Sequence, residues 1–368
     1  MRVLFCFTVW LVSLLPASAQ EVMQYLTATQ NGIALPPSTG MPVDLSICRS
    51  VISANLKAAP SFGYKVKNGT IIDPLSNITI TQSCVNNPDL YEPLPLRPTS
   101  VAPGVSRQLP AAPCPPADER MVLVTAGQSN ASATGQSRYD ASDHVFAYDN
   151  GQCFRAYDPL IGADGDDGSV WGRLADMLVS SGRYRNVVII ALARSGTTIE
   201  QWAPGGNLND HLLTHLRDAA SGGMVPTHLA WHHGEGNAGE VSTQQQYSAL
   251  RSSYKNTFMS MVASIRSLGI TAPIYPAVAT ICNMRSGRWS PSDIDGIVRF
   301  GPEKLIRVEW GRQAIRQAQR DVATGNEIKP GPDTDTISPW RRYDGCHFSD
   351  RGLRDHARLW FEILTTQH

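Results

Sequence analysis

The sequence predicts an α/β domain whose parallel sheet is covered by helices, preceded by a small β-rich N-terminal region. Two observations predict this arrangement. From residue 118 onward, apolar strand-like runs alternate with helix-like segments, and a proline-rich stretch separates them from polar, β-compatible sequence before it. Strands that alternate with helices form parallel sheets with both faces covered.

The alternation predicts the following elements in chain order: a strand at 121–126, a helix at 171–181, a strand at 187–193, a helix at 208–220, a strand at 227–232, a helix at 244–268, a strand at 274–279, and helices at 303–322 and 352–364. In open α/β sheets, ligands bind beyond the carboxyl ends of the strands. Reactive side chains are therefore expected where the strands end.

The region before the main domain divides into three parts. Residues 1–19 carry Arg2, an apolar run and Ala17-Ser18-Ala19, which predicts a secretory signal peptide and an exported protein, periplasmic or secreted. Residues 20–91 are polar with short β-compatible runs and predict the β-rich region. Residues 92–117 contain eight prolines and predict an extended linker, so the main domain spans 118–368.

Composition narrows the possible partners. The chain has 32 basic and 32 acidic residues, which gives no charge surplus for nucleic acid or an anionic membrane. After the signal, no segment reaches about 18 consecutive apolar residues, so we expect no transmembrane segment. The sequence does not specify an oligomeric state.

The cysteines predict disulfides. Six remain after the signal, an even set in an oxidising compartment: Cys48, Cys84, Cys114, Cys153, Cys282 and Cys346. Six cysteines permit about fifteen complete pairings. The sequence does not choose among them, although pairing each with its neighbour in that order is the simplest proposal. Zinc binding by these cysteines is the competing interpretation. Because Cys-x-x-Cys spacing is absent, we expect no metal-binding residues.

Two distant motifs together predict a serine hydrolase. Gly127-Gln128-Ser129-Asn130 follows the apolar run 121–126, and Asp344-Gly345-Cys346-His347 lies near the end of the chain. A serine after a strand becomes nucleophilic when an imidazole takes its proton, and a carboxylate orients that imidazole. We assign Ser129 as nucleophile, His347 as base and Asp344 as its partner, a chemistry that requires no cofactor.

Two nearby patterns have weaker claims to function. The copy Gly135-Gln136-Ser137 has no strand before it and is predicted to be a loop, and Gly-x-Ser-x-Gly is absent. The run 164–168 is similar to a calcium loop, but Ala175 stands where the twelfth-position glutamate is needed, which predicts an acidic surface loop instead.

Two further strand ends offer donors for a developing oxyanion. Gly196 follows the strand at 187–193, and its backbone N–H can approach a substrate closely. Asn237 follows the strand at 227–232, and its side-chain amide can donate to the same oxygen. Preorganised donors of this kind stabilise the transition state by about 3 kcal/mol each.

Four segments resemble the conserved blocks of the SGNH hydrolase superfamily, and specifically its carbohydrate acetylesterase branch, which includes sialate O-acetylesterase and acetylxylan esterase family six. They are Gly127-Gln128-Ser129-Asn130, Gly196-Thr197-Thr198-Ile199-Glu200-Gln201-Trp202, Trp231-His232-His233-Gly234-Glu235-Gly236-Asn237 and Asp344-Gly345-Cys346-His347. The resemblance covers about 120–365 and implies a three-layer, flavodoxin-like α/β/α domain.

The resemblance also implies residue roles. Ser129, Asp344 and His347 form the triad, while the Ser129 N–H, the Gly196 N–H and the Asn237 amide form the oxyanion hole. The candidate substrate-binding residues are Gln128, Trp202, His233 and Glu235, with Glu235 also expected to brace its loop. His233 stands where the family usually has glutamine, and Gly236 where it usually has serine.

These expectations favour an exported enzyme that removes O-acetyl groups from a carbohydrate through an acetyl-enzyme intermediate. Two alternatives remain open at this stage. One is a non-catalytic glycan-binding or surface protein on the same fold, and the other is a short-chain lipid esterase or thioesterase. Acetate release and chain-length preference separate the three.

Overall fold

The computed structural model describes residues 21–30, 33–38, 42–74, 78–85, 111–282, 302–337 and 341–366. The predicted signal segment 1–19 and residues 92–110 of the predicted linker lie outside the described residues. So do the side chains of Cys48 and Cys84.

The main sheet has seven strands in the order β13-β12-β8-β11-β9-β10-β7. Its strands are β7 (Ala111–Ala112), β8 (Arg120–Gly127), β9 (Val145–Asp149), β10 (Gln152–Arg155), β11 (Asn186–Ala191), β12 (His228–His232) and β13 (Ile274–Pro276). The five strands from β13 to β9 are parallel, whereas β10 and β7 are antiparallel at one edge. The parallel centre was predicted, and the antiparallel edge was not.

Helices cover both faces of this sheet. Those described in the main domain are α2 (Trp171–Ser180), α3 (Asn209–Ser221), α4 (Gln244–Arg266), α5 (Pro302–Val322) and α6 (Asp350–Thr366). Side chains alternate along each strand, so Val122 and Val124 of β8 pack with α3, α4 and α5, while Met121 and Leu123 pack with α2 and α6. This is the predicted three-layer α/β/α arrangement.

The end of the predicted linker belongs to the main domain. Ala111–Ala112 pairs with β10, and Cys114 forms a disulfide with Cys153 of that strand. Cys282 pairs with Cys346, so two of the three proposed disulfides are present. The proline content predicted that residues 111–114 are part of an extended, unpacked linker. They are instead held by strand hydrogen bonds and a disulfide.

The N-terminal region is a six-stranded antiparallel sheet with one helix. Its elements are β1 (Glu21–Gln30), β2 (Ile33–Ser38), β3 (Pro42–Asp44), α1 (Leu45–Ala58), β4 (Lys65–Lys67), β5 (Thr70–Ile72) and β6 (Ile78–Val85). Ala59 and Ile71 of this region share a small buried cluster with Val241 and with Trp310 of α5. The region therefore packs directly on the main domain.

Candidate active site

Ser129 lies in a tight turn at the carboxyl end of β8. Gly127 ends the strand with φ at +128°, and a Cβ there would lie 2.1 Å from the carbonyl oxygen of His232 on β12, so only glycine fits. The chain then forms a single 3₁₀ turn, Ser129–Ala131, with Ser129 only 6% exposed. Because the first N–H groups of a helical turn lack partners within it, the Ser129 N–H lies at an end suited to an anionic oxygen.

Asp344 and His347 form a directly hydrogen-bonded pair. Nδ1 of His347 lies 2.6 Å from Oδ2 of Asp344, and Oδ1 accepts the backbone N–H groups of His347 (2.7 Å) and Cys346 (2.9 Å). An ionised carboxylate only accepts, so Nδ1 carries the proton and Nε2 is left as the basic nitrogen. Burial alone would raise the pKa of Asp344, but the hydrogen bonds from the side chain and backbone of His347 outweigh it and hold that pKa below its ordinary value.

The loop of His347 is tied to the turn of Ser129. Asn130 donates through Nδ2 to the carbonyl oxygen of Cys346 at 3.2 Å and to Oε1 of Glu235 at 3.0 Å. Arg342 donates to the same Cys346 carbonyl at 2.6 Å, and the Cys282–Cys346 disulfide anchors the loop beyond β13. These contacts bring both ends of the candidate triad to one edge of the sheet. Within the described residues, no hydrogen bond joins the Ser129 hydroxyl to the His347 imidazole.

The two further oxyanion candidates lie after neighbouring strands. Gly196 is exposed in the turn after β11, and Asn237 lies in the loop after β12. Oδ1 of Asn237 accepts the Ile199 N–H at 2.9 Å, and its Nδ2 donates to the Glu200 carboxylate at 3.1 Å. Both ends of the amide are therefore fixed. An amide nitrogen carries two N–H groups, so one remains for a ligand.

Glu200 is charged in this position. Burial would raise its pKa, but hydrogen bonds from Thr198, from its own backbone and from Asn237 outweigh burial and lower it. The contact by which Glu200 orients Asn237 was not predicted from the sequence, because Glu200 fills an unspecified position of its motif. The bracing role of Asn130 was likewise missed, although that residue lies inside the first motif.

Trp202 and His233 do not present a surface to substrate. Trp202 is fully buried, packs edge-on against Trp231 at 5.4 Å and donates through Nε1 to Thr197 at 3.0 Å. His233 is also fully buried, with Nε2 3.1 Å from the Thr197 carbonyl oxygen and Nδ1 3.4 Å from the Tyr254 hydroxyl. Burial lowers the pKa of His233 to about 4. The expectation that these two residues contact substrate is corrected: both are core residues with internal partners.

Gln128 and Glu235 join loops in the described structure. Gln128 is buried, and its Oε1 accepts the Gly236 N–H at 2.9 Å, which links the Ser129 turn to the loop after β12. Glu235 is nearly buried, accepts from Asn130 and lies 3.6 Å from Nδ1 of His232. These contacts fix the spacing of the two loops through Oε1 of each side chain, while Oε2 of Glu235 has no hydrogen-bond partner among the described residues.

No group of three or more metal-ligating side chains occurs within the described part of the chain. Several polar groups around Ser129 form hydrogen bonds with each other, among them Asn130 with Glu235 and Gln128 with the Gly236 N–H. The site therefore contains one basic imidazole nitrogen and several backbone N–H donors. Acyl transfer requires groups of both kinds.

Comparisons with known proteins give one family match and several similar solved structures. The model of the family "Carbohydrate esterase, sialic acid-specific acetylesterase" matches residues 119–278. Curated protein sequences give no significant match. Similar solved structures include a protein from Arabidopsis thaliana, with 15% identity over 68% of this chain and 96% of that one and a TM-score of 0.48. NanS has 15% identity over 67% and 97%, with a TM-score of 0.43. The acetylxylan esterase Axe2 from Geobacillus stearothermophilus has 12% identity over 68% and 95%, with a TM-score of 0.37.

The family match covers the part of the site that the parallel strands carry. It contains the Ser129 turn and the strand ends with Gly196 and Asn237, and it stops before Asp344 and His347. Residues 119–278 are therefore similar to the sialic acid-specific acetylesterase family of carbohydrate esterases.

Proposed function

We propose that the protein is an exported esterase that removes O-acetyl groups from a carbohydrate through an acetyl-enzyme intermediate on Ser129. The observation that carries the proposal is the Asp344–His347 pair, 2.6 Å apart, on a loop tied through Asn130 to the Ser129 turn. A carboxylate-oriented imidazole beside a serine at a strand end is the arrangement that activates a hydroxyl.

In the first half-reaction, the Ser129 Oγ attacks the acetyl carbonyl carbon while Nε2 of His347 takes the hydroxyl proton. The negative charge of Asp344 stabilises the imidazolium that forms. Collapse of the tetrahedral intermediate breaks the bond to the sugar oxygen, which leaves as an alcohol with the proton from His347. The acetyl group remains attached to the Ser129 Oγ as an ester.

In the second half-reaction, His347 takes a proton from water, and the resulting nucleophile attacks the acetyl-enzyme. Acetate leaves, and the proton returns to Ser129. The oxyanion of both intermediates is held by the N–H groups of Ser129 and Gly196 and by the Asn237 amide, each worth about 3 kcal/mol. The amide is already oriented by Ile199 and Glu200, so its donation costs little reorganisation.

The proposal of export rests on two features outside the active site, the N-terminal segment and the disulfides. The segment 1–19 has the composition of a signal peptide, and the disulfides Cys114–Cys153 and Cys282–Cys346 are bonds that persist in oxidising compartments. Within the described residues, no helix combines the length and apolar character needed to cross a bilayer.

The test measures acetate released from acetylated xylan, acetylated sialic acid and acetylated peptidoglycan by the purified protein. Ser129→Ala should lose nearly all activity, because the nucleophile is gone. Ser137→Ala is the matched control, since Ser137 closes the copied Gly-Gln-Ser and its hydroxyl donates to Asp350 at 2.6 Å instead.

Release by the wild type and by Ser137→Ala, but not by Ser129→Ala, supports the proposal and ranks the substrates. Equal release by Ser129→Ala and the wild type would remove Ser129 from the mechanism. No release from any substrate by the wild type would refute the carbohydrate O-acetylesterase assignment.

A further inference from the structure

The acidic loop at 162–168 lies against the Ser129 turn. The side chain of Ser132, three residues after Ser129, donates to Oδ1 of Asp164 at 2.5 Å and also to the Asp164 carbonyl oxygen. The backbone adds to this contact, because the Ala133 N–H donates to the Asp164 carbonyl at 3.0 Å. Asp164 is therefore not a solvated surface residue, as its acidic neighbours had suggested.

The same carboxylate reaches the second donor turn. Oδ2 of Asp164 accepts the backbone N–H of Ser195 at 2.8 Å, and Oδ1 accepts from the Ser195 hydroxyl at 3.1 Å. Ser195 immediately precedes Gly196 in the chain. One side chain thus joins the turn after β8 to the turn after β11 through both of its oxygens.

The loop that carries Asp164 is held from both sides. Gly165 has φ at +91°, and a Cβ there would lie 2.4 Å from the Ala133 carbonyl oxygen, so the backbone approaches as closely as glycine permits. The Asp167 N–H donates to that same oxygen at 2.9 Å. On the other side, Arg194 donates to the Gly162 carbonyl at 2.6 Å. The carboxylate is therefore presented by a fixed backbone.

We propose that Asp164 is the positioning residue that sets the spacing of the two backbone donors of the oxyanion hole. The inference rests on the proposed function, in which the Ser129 and Gly196 N–H groups bind one oxygen. Those groups come from different strands, so their separation depends on contacts between the two turns. Asp164 makes that contact without touching substrate.

The proposal predicts a specific kinetic pattern. Loosening the hole weakens binding of the tetrahedral intermediate more than binding of the planar ester, so kcat falls while KM changes little. Displacements of about 1 Å at a reacting centre cost about 100-fold in rate. We therefore expect Asp164→Ala to lower kcat by about 10- to 100-fold, with KM changed by less than about threefold.

The experiment compares variants of the full mature protein for acetate release and for affinity toward a boronic acid, which forms a tetrahedral adduct with an active serine. Asp164→Ala should lose boronate affinity by about the same factor as kcat. Asp164→Asn keeps an acceptor for the Ser195 N–H and should recover most of both. Asp166→Ala is the matched control, because this neighbour is exposed and its contact with Arg138 uses only its backbone oxygen.

The outcomes separate this inference from the proposed function. If Ser129→Ala is inactive but Asp164→Ala matches Asp166→Ala in kcat and boronate affinity, the positioning role is wrong and the esterase mechanism stands. If Ser129→Ala keeps full activity, both fail.

Should Asp164→Ala not fold, Ser132→Ala removes one arm of the bridge and decides the question. A kcat reduced at unchanged KM supports the role, and wild-type kcat and boronate affinity refute it.

Discussion

Acidification should destabilise this protein through His233, whose imidazole is fully buried. Burial lowers its pKa to about 4, against the opposing influence of Glu235 and of the Thr197 carbonyl. In the unfolded chain the same imidazole has a pKa of about 6.5. Between these two pH values, His233 is protonated in the unfolded state and neutral in the folded state. The free energy of unfolding therefore falls as the pH drops through this range.

The size of the effect follows from the two pKa values. A separation of about 2.5 units corresponds to about 3.4 kcal/mol once both states are fully protonated. At about pH 5 the loss is about 2 kcal/mol relative to neutral pH, because the unfolded imidazole is nearly fully protonated and the folded one is not. This is a large fraction of the stability of a typical domain.

The assay is urea unfolding of the wild type and of His233→Gln at about pH 7.5 and pH 5. Glutamine keeps an N–H donor for the Thr197 carbonyl but takes no proton, so the variant should lose about 2 kcal/mol less on acidification. Other buried groups titrate in both proteins, and their contribution cancels in the comparison. His144→Gln is the control, because this imidazole is exposed.

An equal loss of stability in the wild type and His233→Gln would refute the reasoning. It would mean that the buried imidazole accepts a proton as easily as an exposed one. Burial of the ring, with only the Thr197 carbonyl and the Tyr254 hydroxyl as partners, makes the charged form costly. An equal difference in His144→Gln would show that the effect does not depend on burial.

Three further predictions concern the framework of the site. Replacing both Cys282 and Cys346 by serine should lower the free energy of unfolding by about 2–4 kcal/mol and reduce kcat, as measured by urea unfolding and acetate release, because the loop of the candidate base loses its covalent anchor. Arg316→Met should cost about 3–5 kcal/mol in urea unfolding, since it leaves the buried Asp335 carboxylate, whose pKa is about 2, without its 2.8 Å partner. Gly127→Ala should lower the melting temperature and abolish acetate release, because a Cβ would clash with the backbone of β12.

A specific outcome would contradict each of these three predictions. Unchanged stability and kcat in the double serine variant would show that hydrogen bonds alone hold the loop. Arg320→Met removes an exposed ion pair and should cost less than about 1 kcal/mol, so an Arg316→Met effect no larger than this would contradict the buried-pair argument. A Gly127→Ala protein with wild-type melting temperature would mean that the turn can relax.

Apolar runs predicted the parallel core well because each central strand is buried on both faces. Strands β8, β11 and β12 lie within two residues of their predicted bounds. The hairpin of β9 and β10 was missed, although Asn150-Gly151 between them, with φ values of 46° and 83°, is a strong hairpin signal. A two-residue turn joins these strands directly, so the alternation of strands with helices does not reveal them.

The chemistry of the site was predictable only where it resides in motifs. Asp344 and His347 are three residues apart, so their contact could be anticipated from local sequence. Asn130 and Cys346 are 216 residues apart, and only the fold brings them together. Trp202 illustrates the opposite error, since a tryptophan near a motif was predicted to face substrate and instead fills the core.

The packing of the N-terminal region on Trp310 and Val241 has a practical consequence for fragments and fusions of this protein. A fragment that began at residue 118 would expose both apolar side chains and would leave Cys153 as an unpaired thiol, because Cys114 would be lost. Exposed apolar clusters and free thiols promote aggregation and intermolecular crosslinking. The smallest portable unit therefore extends back through β1, which pairs with β6 inside the N-terminal sheet, and a fusion partner belongs before that strand.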